Sequence, residues 1–401
     1  MSIVIAGAKV LLPDDLVETD LLIDDGSILE IGGPFKADHV IDGRGRILAP
    51  AMVDVHGDAF ERQLMPRPSV FFPTEAALLE TDRQLATNGI ATAYHALTLS
   101  WEPGLRSVER GWDMVRTLDA LQARLTIENR IQLRWETCAF EAIDLIRHVL
   151  DGVLTPSIAF NDHTSMTMRD RSLSVQERLF EHNPAFKVID PDDPSFPPTQ
   201  TANARRVGAS VEDYVQMLKG VWPRRSDVPG MIAEVAAMGV ERSVPMLSHD
   251  DSQEETRGFY RKLGATISEF PMTVDVARAS REAGDAIIFG APNVVRGGSH
   301  IGSPSAADMA EAGLCDALAS DYFYPALLAA AAHLVQERRL SLHAAWALVS
   351  NGPASAMGLS DRGLIEPERR ADLVLIDWPD QGTPAITLTL SNGRIAYLAH
   401  R

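Results

Sequence analysis

The segment Met52–Asp58 reads MVDVHGD, a short apolar run that predicts a buried strand and ends in a histidine and an aspartate. His56 and Asp58 are two positions apart, so on an extended chain their side chains point to the same side. Imidazole and carboxylate groups at one strand end can hold a divalent metal ion. This segment is therefore the starting point for both the fold and the chemistry.

Seven more candidate strands follow, and helical stretches lie between them. The full set of candidate strands is Met52–Val55, Thr92–Ala96, Arg130–Arg134, Ser157–Phe160, Pro245–Ser248, Ala265–Ser268, Ala286–Phe289 and Leu318–Ser320. Strands that alternate with helices indicate βαβ units and a parallel sheet. The chain is thus predicted to be an α/β protein with a (β/α)₈ TIM barrel, whose active site lies at the carboxyl edge of the strands.

The two ends of the chain have a different texture, with short β-rich runs and turn signals. Asp24-Asp25-Gly26 and Ser391-Asn392-Gly393 each predict a tight turn between strands. We expect residues 1–50 and 360–401 to form one composite β-sandwich domain, and residues 51–359 to form the barrel. Within the barrel, the polar and proline-containing segment 164–209 is long for a loop, which favours a lid or an insertion.

Composition argues against two classes of partner. The 401 residues carry a formal net charge of −18, which argues against nucleic acid or an anionic membrane as the main partner. Cys138 and Cys315 form no C-x-x-C pair, and the N-terminus lacks the features of a signal peptide, so we expect a cytoplasmic protein. A small anionic substrate is compatible with this composition, because a bound metal and local arginines can reverse the electrostatic field inside a cleft. A homo-oligomer is also compatible with it.

Residues that can bind metal follow several of the other candidate strands. They are Glu136, Asp162-His163, His249-Asp250-Asp251, Glu269 and Asp321. A single polar residue at a strand end is more often structural than functional. The coincidence of five strands on one barrel rim favours a metal site, and the mixture of imidazole and carboxylate suits Zn²⁺, Mn²⁺ or Fe²⁺.

The His-x-Asp pair, the two later histidines and the final Asp321 resemble the amidohydrolase superfamily. The split β-domain and the run Arg370–Val374 agree with that resemblance. More specific matches are Met65–Pro68, Ser248–Asp251, Ser268–Pro271, Gly290–His300 and Ser320–Tyr322. These segments are similar to one branch of the superfamily, the diphosphatases that cleave ribose 1-methylphosphonate 5-triphosphate and release pyrophosphate in phosphonate breakdown.

The resemblance implies a two-metal site, with two Zn²⁺ ions as the first expectation and Mn²⁺ or Fe²⁺ as alternatives. It assigns His56, Asp58 and Asp321 to one ion, assigns His163 and His249 to the other, and makes Glu136 the bridge between them. Asp321 and Glu136 form the predicted catalytic pair. Asp321 is the expected general base, because it contacts the attacking water.

Arginines and glycines are the predicted phosphate contacts, since guanidinium groups bind phosphate bidentately and glycines let backbone N–H groups approach an anion. Arg296, Gly297, Gly298 and His300 belong to one loop, for which an ordinary strand-to-helix connection is the alternative. Arg67, set between two prolines, is a second candidate.

Two positions depart from the diphosphatase pattern. Gly57 stands where threonine is usual, and Thr164–Thr167 replaces the usual Pro-Gly-Gln-Arg after His163. Arg169 and Arg171 come slightly later and could replace the missing arginine.

Several alternatives stay open at this point. One of Asp250 and Asp251 is expected to cap the next helix, Asp162 could orient a ligand histidine, and Glu269 could equally pair with an arginine. The runner-up function is a deacylase or deaminase that acts on a C–N bond of a small polar substrate, because the same barrel supports both chemistries. A non-catalytic scaffold would have damaged ligands, whereas all six predicted positions hold competent residues.

Overall fold

In the computed structural model, which describes residues 2–299, 302–380 and 382–399, both ends of the chain contribute strands to one eight-stranded sheet. Numbered in chain order, the strands near the N-terminus are β1 (Ile3–Leu11), β2 (Leu16–Asp24), β3 (Ser27–Ile31), β4 (His39–Asp42) and β5 (Ile47–Pro50). Those near the C-terminus are β14 (Leu373–Asp377), β15 (Ala385–Ser391) and β16 (Arg394–Leu398). The sheet order is β16-β15-β14-β5-β1-β2-β3, with β4 also paired to β1.

Strand β1 divides this sheet into two layers. It pairs with β2 along its whole length, while its other edge pairs with β4 in the first half and β5 in the second. An apolar core lies between the layers, with side chains such as Ile5, Leu48 and Leu388 fully buried. The predicted small β-sandwich made from both termini is confirmed.

Both predicted turns are two-residue hairpin loops. Asp25-Gly26 has φ values of 46° and 82°, and Asn392-Gly393 has 50° and 70°. Positive φ at both loop positions is the geometry of a type I′ turn, which favours Asp-Gly and Asn-Gly because these residues tolerate it.

The barrel strands lie between the two terminal groups, and each pairs in parallel with the next. They are β6 (Met52–Gly57), β7 (Ile90–Leu99), β8 (Glu128–Glu136), β9 (Ser157–Asn161), β10 (Met246–His249), β11 (Ile267–Glu269), β12 (Ala286–Gly290) and β13 (Ala317–Ala319). The eight predicted barrel strands are therefore confirmed, with bounds that differ from the prediction by a few residues.

The barrel closes where β6 meets the end of β13. The Asp321 N–H donates to the His56 carbonyl at 2.9 Å, and the Asp58 N–H donates to the Asp321 carbonyl at 2.9 Å. Fully buried Asp54 accepts hydrogen bonds from the backbone N–H and the hydroxyl of Ser320 at 2.9 and 2.5 Å. This closure brings His56, Asp58 and Asp321 next to one another.

The closure also explains the glycine at position 57. A Cβ added to Gly57 would lie 2.6 Å from the Asp54 carboxylate and 3.0 Å from the Ser320 hydroxyl. A threonine cannot occupy this position unless the buried Asp54–Ser320 pair moves.

Helices cover the outside of the barrel and form most of its connections. They are α1 (Glu61–Leu64), α2 (Thr74–Thr87), α3 (Val108–Leu121), α4 (Ile143–Leu150), α5 (His163–Met168), α6 (Phe196–Thr199), α7 (Thr201–Val207), α8 (Val211–Val221), α9 (Val228–Glu241), α10 (Glu254–Lys262), α11 (Val274–Glu282), α12 (Ala291–Arg296), α13 (Ala306–Glu311), α14 (Ala326–Gln336), α15 (Leu342–Ala347) and α16 (Asn351–Ala356), with two 3₁₀ turns at Phe140–Ala142 and Trp222–Ser226. Three of the longer helices have a hydroxyl side chain as N-terminal cap: the side chains of Ser107, Ser210 and Thr273 each accept a hydrogen bond from the backbone N–H three residues ahead.

Across the described part of the chain, no helix has the length and apolar character that crossing a membrane requires.

The long segment 164–209 connects β9 to the helices before β10 and carries α6 and α7. Met168 and Phe196 are fully buried and pack against Val215 and Leu218 of α8. A small apolar core thus anchors the segment to α8. Its role as a lid, and the domain limits at residues 50 and 360, remain proposals.

Candidate metal centre

The predicted ligands all lie at the carboxyl edge of the barrel. His56 lies one residue before the end of β6 and Asp58 directly follows it. Glu136 ends β8, His163 follows β9, His249 ends β10, and Asp321 follows β13. Parallel strands point the same way, so these side chains share one rim.

Three sets of side chains among the described residues are close enough to share an ion, with ligand atoms within 4.8 Å of one another. One set is His56, Asp58 and Asp321, which the sequence predicts for a single ion. A second set contains His163 and His249, the other predicted pair, together with Asp250. The third set is His56, His249 and Glu269.

Glu269 orients two of these histidines. Its carboxylate lies 3.0 Å from Nδ1 of His56 and 2.6 Å from Nδ1 of His249. Although burial opposes its ionisation, these two histidines lower the pKa of Glu269 well below its usual range. A carboxylate that accepts the Nδ1 proton makes Nε2 the acceptor nitrogen of each ring, which is the form of histidine that binds a metal. We therefore assign Glu269 to positioning, which the sequence left undecided.

The donor set fits a divalent ion. The Nε2 atom of His56 is buried and has no hydrogen-bond partner among the described residues. A buried acceptor without a partner is costly, and a metal ion would satisfy it. With Asp58 and Asp321 beside it, this mixture of nitrogen and oxygen ligands suits Zn²⁺, Mn²⁺ or Fe²⁺.

Glu136 lies against His163. Its carboxylate accepts the His163 backbone N–H at 3.0 Å and lies 2.5 Å from Nδ1 of the ring. Burial works against ionisation, but His163 lowers the pKa of Glu136 to about 2. The Glu136 carboxylate thus contacts Nδ1 of His163 in the same way as the Glu269 carboxylate contacts Nδ1 of the other two histidines. It is in none of the three ligand sets, and its role as a bridge between two ions stays a prediction.

Asp250 and Asp251 have different surroundings. Asp250 points at the centre, with its carboxylate 3.6 Å from Nε2 of His249 and 3.9 Å from Nε2 of His163. Asp251 accepts a hydrogen bond from Ser248 instead. Helix α10 begins after Gln253 and has no side-chain cap, so the prediction that one of these aspartates caps it is wrong.

Asp162 caps the short helix α5. Its carboxylate accepts the backbone N–H and the hydroxyl of Ser165, each at 2.7 Å. Because His163 is the first residue of α5, this cap fixes the backbone from which the ligand histidine projects.

Arg134 is a functional candidate that the sequence did not reveal. Its guanidinium lies 3.0 Å from Nε2 of His249 and 3.6 Å from the Asp58 carboxylate, and Asn161 accepts its Nε–H at 3.1 Å. A cation therefore projects among the ligands from near the carboxyl end of β8. Alternation along that strand was the available signal, since Arg134 and Glu136 share one face.

Asp321 has a perturbed carboxyl group. Burial raises the pKa of Asp321 to about 6, with His56 opposing the shift and Asp58 reinforcing it. Its φ of 55° lies in the left-handed region, so the chain turns sharply at this strand end.

Two cavities flank the ligands. One, of about 230 Å³, is lined by His56, His249, Asp250 and Asp321 and by Arg296, and we call it the Arg296 cavity. The other, of about 310 Å³, is lined by Glu136 and His163 and by four arginines, and we call it the arginine cavity. The ligand cluster therefore lies between two spaces that a substrate could occupy.

The predicted phosphate contacts are placed unequally. Arg296 ends α12 with its guanidinium 3.3 Å from the Tyr322 hydroxyl, and Gly298 lines the same Arg296 cavity. Gly297 caps α12 with a φ of 76°. Arg67 is exposed in a turn and is not among the described residues that line either cavity. His300 lies outside the described residues.

Comparison with known protein sequences shows what this chain is similar to. A profile described as "Amidohydrolase family" matches residues 224–397. The chain is 29% identical over 379 residues to the alpha-D-ribose 1-methylphosphonate 5-triphosphate diphosphatase of Escherichia coli (strain K12), and the match covers 93% of this chain and 94% of that protein. Together these matches support hydrolase activity.

Solved structures show the same fold at low identity. An amidohydrolase covers 100% of both chains at 15% identity with a TM-score of 0.61. A triazine hydrolase variant covers 98% of this chain and 94% of its own at 16% identity, with a TM-score of 0.62. A beta-aspartyl dipeptidase from Fervidobacterium islandicum AW-1 covers 99% and 97% at 15% identity, with a TM-score of 0.61. These likenesses concern the architecture alone.

Proposed function

We propose that this chain is a metal-dependent diphosphatase. Its resemblance to the amidohydrolase superfamily, predicted from the sequence, is confirmed by the family and relative matches. Its substrate is ribose 1-methylphosphonate 5-triphosphate or a close analogue, and it releases pyrophosphate in phosphonate breakdown. The observation that carries the proposal is the ligand cluster between two arginine-lined cavities, which suits a highly anionic substrate.

Two ions, with Zn²⁺ as the first candidate, complete the site. His56, Asp58 and Asp321 would hold one, while His163 and His249 would hold the other with Asp250 as an added ligand. When bound, such ions activate water as Lewis acids and neutralise phosphate charge.

Side chains of the protein accept the proton and stabilise the charge that develops during the reaction. Asp321 accepts the proton of the attacking water, whose oxygen forms a bond to phosphorus. The anhydride P–O bond then breaks, and pyrophosphate leaves with the electron pair. Arg134 lies beside Asp58 and His249, where its guanidinium can bind a phosphate oxygen and stabilise the charge that develops during this step.

A substrate panel tests the class of reaction. We expect the purified protein, supplied with Zn²⁺, Mn²⁺ or Fe²⁺, to hydrolyse the ribosyl triphosphate with a kcat/KM roughly 1,000-fold or more above that for N-acyl amino acids, dipeptides and cyclic ureides. The rates should vanish on chelation and return with the metal. A His249→Asn variant should be inactive, whereas His148→Asn, an exposed histidine on α4, should match the wild type. Turnover of amides alone would favour the C–N hydrolase instead.

A further inference from the structure

The arginine cavity carries an uneven distribution of charge. Its charged lining comprises the arginines Arg106, Arg169, Arg171 and Arg206, the glutamates Glu102 and Glu136, and His163. A small-molecule site of this kind is expected to hold a few well-placed polar groups. Which of these charges are already neutralised decides what the cavity can bind.

Two of the arginines are neutralised by carboxylates. Arg106 makes a bidentate pair with Glu61 at 2.8 and 2.9 Å. Arg206 lies 2.7 Å from Glu102, which also accepts the Tyr214 hydroxyl at 2.7 Å. These groups form the fixed wall of the cavity.

Arg169 and Arg171 have no ion-pair partner within the described ranges. Arg169 donates to the Met166 carbonyl at 2.7 Å, and its buried Nε–H has no hydrogen-bond partner there. Arg171 has a single long contact, 3.5 Å to the Thr167 carbonyl. Burial and the nearby cations Arg171 and Arg178 lower the pKa of Arg169, the direction expected where like charges lie close together. An anion between Arg169 and Arg171 would relieve this repulsion and use the free donors.

The two unpaired arginines lie one helix away from the metal ligands. Helix α5 runs from His163 to Met168, and Arg169 follows as its C-terminal cap residue. Glu136, the remaining carboxylate of this lining, is engaged by His163. On the other side of the ligand cluster, the Arg296 cavity carries the carboxylates of Asp250 and Asp321. The more positive space is therefore the arginine cavity.

We infer that the arginine cavity is a pyrophosphate-binding subsite in which Arg169 and Arg171 hold the two terminal phosphates of a triphosphate. The reacting phosphorus then lies at the ligand cluster, and the ribosyl part occupies the Arg296 cavity. The kinetic role of the subsite rests on the proposed function, whereas pyrophosphate binding itself can be measured without turnover.

Binding of inorganic pyrophosphate to the metal-loaded protein, measured by calorimetry, tests this inference. We expect Arg171→Gln and Arg169→Gln each to weaken pyrophosphate binding about 10-fold or more, since a hydrogen bond to a charged group contributes on that scale. Methylphosphonate binding should change little. Arg205→Gln, an exposed neighbour of Arg206 on α7 that does not line the cavity, is the matched control.

Arg171 is exposed, so we expect its replacement to leave the folded core intact. The metal content of each variant is measured as well, so that pyrophosphate affinities are compared at equal metal loading. Pyrophosphate affinity that is unchanged in both variants would overturn the subsite even if the triphosphate is hydrolysed. Arginine-dependent binding without turnover would support the subsite and refute the diphosphatase. With turnover, product inhibition by pyrophosphate should weaken in the same variants.

Discussion

Replacing Asp321 by asparagine is expected to lower kcat for triphosphate hydrolysis by about 100- to 10,000-fold. Asparagine keeps an oxygen that can ligate the metal but cannot accept the proton of the attacking water. It also tolerates the left-handed backbone at this position, where φ is 55°. The backbone bonds of residue 321 to His56 and Asp58 can therefore remain. Steady-state rates and metal content, measured on the same preparation, check the prediction.

A matched substitution separates catalysis from backbone effects. Asp25→Asn makes the same chemical change at another positive-φ aspartate, φ 46°, in the loop between β2 and β3. This variant should keep wild-type turnover. If Asp321→Asn retains both its metal and full turnover, Asp321 is not the general base.

Glu269→Gln is expected to weaken metal binding by about 10- to 100-fold, the usual effect of removing a residue that orients ligand histidines. The wild-type carboxylate accepts from Nδ1 of both His56 and His249. A glutamine offers one carbonyl oxygen and one amide NH₂ group, so one buried histidine must rotate or change tautomer. The concentration of metal needed for half-maximal activity should rise, while activity at saturating metal recovers in part.

Glu282→Gln is the control for this charge change, because Glu282 is exposed at the end of α11. Its metal affinity should equal that of the wild type. Unchanged affinity in Glu269→Gln, measured by competition with a chelator, would show that the carboxylate does not organise the ligands.

The position of the ligands at the strand ends was predictable, because in a barrel the order of strands along the chain also fixes which strand ends lie together. Residues at the carboxyl ends of parallel strands must meet on one rim, whatever the loops do. His56, His163, His249 and Asp321 follow from that rule, and the structure gathers them as expected. The tight hairpins follow equally from local turn chemistry.

Roles that depend on pairing across the barrel were harder to assign. Glu269 lies level with His249 on the neighbouring strand, which register could have suggested, but its bond to His56 spans the barrel. The orientation of Asp250 depends on its left-handed backbone conformation, with a φ of 58°, which the local sequence does not predict. Periodicity alone could not separate ligand, cap and positioning residue here.

The most direct test of the central claim is the identity of the phosphorus products, followed by ³¹P NMR during turnover of ribose 1-methylphosphonate 5-triphosphate. The diphosphatase predicts that pyrophosphate and the ribosyl 5-monophosphate appear in equal amounts, in a metal-dependent reaction that Asp321→Asn slows. Sequential release of orthophosphate, or an unchanged triphosphate spectrum from metal-loaded enzyme, would contradict it.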